Sequence, residues 1–177
     1  EEDDDDHTVP SIAALVATEN AAAMAAMLDH IRTMNETAFE HLVGDVLKAA
    51  LRADKVTITQ QSRDGGIDGV LHFDSLGMRT GVFQAKRYAA GNTVSRPQLD
   101  AFATAARRRR SEHKLFVTSS QYSAEAVEAA KDEAVRLIDG VAFVELMAEH
   151  GIGLRPRESF VVYEIDPAWA VDDECNE

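Results

Sequence analysis

Two stretches of this 177-residue chain carry side chains that could do chemistry together: "RDGGIDGV" (63–70) and "VFQAKRY" (82–88). The first is a glycine-rich turn holding Asp64 and Asp68. The second has the β-branched and aromatic character of a strand and sets Gln84 and Lys86 two positions apart. Side chains alternate along a strand, so Gln84 and Lys86 share a face with Val82 and Tyr88. If residues 66–74 and 79–88 pair as a hairpin around "SLGM", paired numbers sum to about 153 or 154, and Asp68 lies opposite residue 85 or 86. One carboxylate, one amide oxygen and one ammonium then converge. Carboxylate and carbonyl oxygens are the ligands a hard cation such as Mg²⁺ prefers. A lysine alongside could hold or help deprotonate an attacking water while the cation stabilises charge growing on a phosphodiester. A plainer reading stays open on spacing alone, because a turn aspartate commonly caps its turn and a strand lysine commonly ends in solvent.

The flanking segments say what must position these groups. "PSIAALVATENAAAMAAMLDHIR" (10–32) reads as an alanine-rich helix with Pro10 near its start. "NETAFEHLVGDVLKAALRA" puts Phe39, Leu42, Val43, Val46, Leu47 and Ala50 on one helical face, with Asn35 as N-cap. Strands are expected at 55–62, 66–73 and 79–88, then a helix capped by Ser95 with Pro97 in its first turn and running through "RRRR". A strand at 114–119, a helix capped by Ser123, a strand at 135–139 and a helix ended by Gly151 follow, with a last strand at 159–165. This order predicts an α/β (α+β) domain: a mixed sheet whose antiparallel front half meets a βαβ back half.

Composition narrows the class. The longest purely apolar run, residues 21–28, is too short to span a bilayer. No basic region precedes it as in a secretory signal, and Cys175 is the sole cysteine, which rules out an internal disulfide or cysteine zinc site. A cytoplasmic location without membrane contact is the expectation. The chain does not open with methionine, so a longer parent is expected, and a recognition domain is expected elsewhere in it. The net charge of −13, carried by 31 acids against 18 bases, suggests a halophilic source, where concentrated salt screens repulsion. Against that background residues 79–114 hold nine bases and two acids. Such a basic segment in an acidic chain invites a polyanionic partner. The six histidines show no ligand spacing and are assigned to no metal.

The segments "FEHLVGDVLKA", "RDGGIDGVL", "VFQAKRY", "VSRPQLDAFA", "LFVTSSQYSAEAVEAAK" and "LIDGVAFVELMAEHGIG" occur in that order. Together they resemble the catalytic domain of Mrr-like restriction endonucleases, a branch of the PD-(D/E)xK nuclease superfamily in which glutamine often replaces the acid before x-Lys. The resemblance covers about residues 34 to 154, flanked by an acidic tail with the alanine-rich helix (1–33) and a C-terminal strand with an acidic tail (155–177). It implies a restriction-endonuclease-like mixed sheet flanked by helices, and a Mg²⁺-dependent type IV-like endodeoxyribonuclease. The substrate would be double-stranded, modified (methylated) DNA, and the active form a homodimer or higher assembly. Asp68 would be the central metal-binding carboxylate, Gln84 the second ligand, Glu40 the acid completing the metal site, and Lys86 the residue orienting the water. Asp64 is the rival to Asp68, better suited to capping its turn. Arg87, Arg96, Arg107, Arg108, Arg109 and Arg110 are candidate phosphate contacts, although a basic run at a helix C-terminus also opposes the helix dipole unaided. Tyr88 and Tyr122 could stack on a base or pack internally. Two rival functions share these residues: a nuclease fold that only binds nucleic acid or a protein, and a nuclease for DNA junctions.

Overall fold

The computed structural model describes residues 10–59 and 66–161. Its elements are α1 (Ile12–Thr33), α2 (Glu36–Leu51), β1 (Lys55–Ile58), β2 (Gly69–His72), β3 (Thr80–Lys86), β4 (Thr93–Val94), α3 (Arg96–Arg108), β5 (His113–Thr118), β6 (Gln121–Tyr122), α4 (Ala124–Asp132), β7 (Arg136–Ile138) and α5 (Gly140–Glu149). The expected caps form. Asn35 accepts the Ala38 N–H at 2.7 Å and Ser123 that of Ala126 at 3.2 Å. The Ser95 N–H donates to Gln98 Oε1 at 2.9 Å. Each satisfies a donor that the first helical turn would otherwise leave open.

Five strands form one sheet in the order β1-β2-β3-β5-β7, antiparallel from β1 to β3 and parallel from β3 to β7. The parallel pairs need crossovers, which α3 and α4 supply. Burial alternates along the central strands. Phe83, Ala85, Leu115 and Val117 join the core under α1, α2 and α5, whereas Val82 and Phe116 join the core under α3 and α4. Edge-on ring pairs lock both layers: Phe39–Phe143 with centroids 5.7 Å apart and Phe102–Phe116 at 5.5 Å.

The structure corrects several expectations. The β2–β3 register sums to 152 (Gly69↔Phe83, Val70↔Val82), one short of the expected range. The cause lies in the connection: the Asp74 carboxylate accepts the N–H groups of Leu76, Met78 and Arg79, and the Phe73 N–H bonds Arg79 O, which fixes the closing pair. β2 begins only at Gly69, three residues after Gly66, whose φ is positive (+93°). A second, two-stranded parallel sheet, β4 with β6, occupies segments where no strand is expected from the sequence. Residues 159–161 are exposed and form no strand, and the rest of the expected tail strand lies outside the described residues.

α1 is not separate from the domain that follows it. Leu28 and Ile31 are buried in the same core as α2 and α5. The helix is also long and apolar enough, by length and composition, to cross a membrane. Eight of its 22 residues are alanine, its last turns pack into the core, and Arg32 is bonded to the Ser119 carbonyl.

Candidate active site

Asp68 lies just before β2, where its side chain does what a strand backbone would otherwise do. Its N–H donates to Phe83 O at 2.9 Å, and its Oδ2 accepts the Ala85 N–H at 2.8 Å. Ala85 is the residue between Gln84 and Lys86, so this bond brings the carboxylate to the Q-x-K segment. Burial pushes the Asp68 carboxyl up to about 6. The Ala85 N–H opposes that rise, the charge on Glu40 adds to it, Lys86 opposes it and Glu36 adds a little. Asp68 thus feels the charges of both Glu40 and Lys86.

Gln84 is buried, 6% exposed, on the sheet face of Val82. Its side-chain Oε1 has no hydrogen-bond partner among the described residues. A buried carbonyl oxygen left open in this way is costly and is a natural place for a proton donor or a cation. Gly66 explains how the amide fits: a Cβ there would lie 2.8 Å from Gln84 Nε2, at a φ of +93° that disfavours any side chain. Gly66→Ala is therefore expected to displace the amide, cutting cleavage at least tenfold and lowering the melting temperature by a few degrees in a thermal melt. Wild-type behaviour in both assays would remove Gln84 from the site.

Glu40, on α2, is buried at 7% exposure. Glu36, four residues earlier on the same helical face, was not singled out from the sequence; the i, i+4 spacing in "ETAFE" was its signal. Among the described residues no three His, Cys, Asp or Glu side chains cluster as a metal site. The donor set here is two carboxylates and one amide oxygen. Two negative charges and one open amide oxygen are the kind of donors a divalent cation takes. Asp64 lies outside the described residues.

Residues 31–147 match the family model for the restriction endonuclease catalytic domain of Mrr type. The chain belongs to this family. The type IV methyl-directed restriction enzyme EcoKMrr of Escherichia coli K12 is 34% identical over 135 residues, covering 74% of this chain and 44% of that relative. Two solved structures are similar in fold, each at 22% identity. The DNA modification-dependent restriction endonuclease AspBHI has a TM-score of 0.59, with 81% of this chain and 39% of that chain covered. MspJI, solved in complex with a 27-mer oligonucleotide, has a TM-score of 0.54, with 82% and 36% covered. The Mrr-type chain described here therefore spans less than half the length of each of these relatives.

The arginines divide by position. Arg87 donates from Nη1 to Arg32 O at 2.8 Å, which ties the Mrr-type strand β3 to the end of α1. Arg107 holds both Glu133 carboxylate oxygens, at 2.8 and 2.9 Å, joining α3 to α4. Arg107 to Arg110 lie at the end of the sheet where His113 pairs with Gly81. That is five residues along β3 from Lys86, about 17 Å, so the run is remote from the Asp68–Gln84–Lys86 cluster. Arg96, exposed and 3.5 Å from Asp100, opens α3 at the same end as Lys86. Tyr122 packs: its hydroxyl donates to Phe116 O at 2.6 Å and burial pushes its phenol far up. Tyr88 packs against the α3 core, and its hydroxyl accepts from Gln98 Nε2.

Proposed function

We propose that this chain is the catalytic domain of a Mg²⁺-dependent endonuclease that hydrolyses duplex DNA and restricts modified, methylated DNA. The observation that carries the reading is the open, buried Gln84 oxygen in a family-matched Q-x-K segment whose central Ala85 N–H is bonded to Asp68. Asp68, Gln84 and Glu40 would hold the cation, which when bound supplies charge stabilisation at the scissile phosphate. Lys86 would orient the attacking water and place an ammonium beside the developing charge. Arg96 is the arginine whose position supports a phosphate contact near the centre. Cutting both strands takes two such centres, which supports a homodimer or higher assembly.

The methyl-directed activity named for EcoKMrr and the modification dependence named for AspBHI support the substrate class. The test is cleavage of methylated and unmethylated copies of one plasmid with Mg²⁺. Preferential cutting of the methylated copy is expected; equal cutting of both would remove the restriction of modified DNA. Binding of both without cutting would favour the binding-only rival, which is supported by there being no cluster of three His, Cys, Asp or Glu side chains among the described residues. We also propose a halophilic origin, on the net charge of −13. The melting temperature should then climb as KCl goes from dilute to molar, and a flat response would refute it.

A further inference from the structure

We infer that Ser119 is the positioning residue for Lys86, holding the end of β3 through a bond pattern that extends the sheet by side chain after its ladder has ended. This rests on the proposed role of Lys86.

The β3–β5 ladder stops at Lys86↔Thr118. A lysine side chain is a long flexible stem, and its aim depends on the backbone that carries it. Here that backbone is clamped from one side. Lys86 O accepts Thr118 Oγ1 at 2.8 Å and the Ser119 N–H at 3.2 Å. Two residues on, the Ser119 hydroxyl accepts the Tyr88 N–H at 2.7 Å and donates to Tyr88 O at 2.8 Å. One hydroxyl thus exchanges both bonds with Tyr88, as a strand partner would.

Ser119 is itself fixed from behind. It is fully buried, and its carbonyl accepts Arg32 Nε at 3.2 Å from α1. Arg87, between the two clamped residues, reaches the Arg32 carbonyl. α5 begins against the same carbonyl: a Cβ on Gly140 would lie 2.7 Å from Ser119 O, so only glycine allows this approach. The segment 86–88 is held through one serine by α1, β5 and the start of α5. None of these bonds reaches the Lys86 ammonium, and their effect on the reaction passes through its placement. A group misplaced by about 1 Å can lose about 10²-fold in rate.

The test compares Ser119→Ala with wild type in single-turnover cleavage of a short duplex, in otherwise normal and Lys86→Ala backgrounds. Ser119→Ala is expected to slow cleavage at least tenfold with DNA affinity unchanged within twofold, and to cost no more than twofold when Lys86 is already alanine. Thr118→Val, which keeps the side-chain shape and removes one bond to Lys86 O, should give a smaller loss of the same kind. Equal losses in both backgrounds would mean general loosening and overturn the inference, as would wild-type rates for both variants. A readout free of turnover covers an inactive background: ¹³C-dimethylation labels the five lysines, and Ser119→Ala should shift the Lys86 resonance. An unmoved resonance sinks the inference. Full activity in Lys86→Ala alone would instead overturn the underlying reading of Lys86, whatever Ser119 does.

Discussion

Replacing Asp68 by Asn is expected to abolish DNA cleavage and, in metal-free buffer at neutral pH, to raise the melting temperature. The two effects share one cause. Burial raises the Asp68 carboxyl from 3.8 to about 6, so folding with this group ionised carries a cost that a neutral amide avoids. The gap corresponds to at most about 3 kcal/mol, and solvent reaching this half-buried group reduces it to about 1–2 kcal/mol, or about 5 °C in a domain of this size. Asn keeps an oxygen to accept the Ala85 N–H, so the local backbone need not move. Because the folded value lies above the ordinary one, the folded chain keeps a proton between about pH 4 and 6 that the unfolded chain has released. The stability gap between Asp68→Asn and wild type should therefore be full above about pH 6 and close toward pH 4. Thermal melts across that range, in chelator, check it. A variant less stable than wild type at pH 7 would mean that the carboxylate is structural.

Lys86→Ala should lower the single-turnover cleavage rate about 10³-fold with DNA affinity within a few-fold of wild type. Its charge acts to lower the Asp68 carboxyl against the effect of burial, and its backbone is fixed to β5. Losing it removes the orienting group without emptying the core, since the side chain is only half-buried. A loss of DNA affinity matching the loss of rate would make Lys86 a binding residue.

Much of this was legible in the chain. Asn35, Ser95, Ser123 and Gly151 punctuate helices by local chemistry, and the structure uses each one where it stands. The pairing of a turn aspartate with a Q-x-K strand was legible from the short hairpin between them. Its register was not, because three backbone bonds to Asp74 set the turn and a "SLGM" reading does not include that side chain. The arginine run shows the other limit. Charge is visible in a sequence, but α3 returns its C-terminus to the far end of the sheet, and only the topology reveals that distance. The role of Ser119 is hidden from the sequence for a related reason: it is a contact between the segments just past β5 and β3, 31 residues apart.

The central claim is hydrolysis at Asp68, Gln84 and Lys86 that depends on a divalent cation. It is tested most directly by single-turnover cleavage of a methylated duplex by wild type and Lys86→Ala, each with Mg²⁺ and with chelator. The account predicts cutting by wild type with Mg²⁺ and a loss of about 10³-fold when either the cation or Lys86 is removed. Cutting that survives both removals would contradict it.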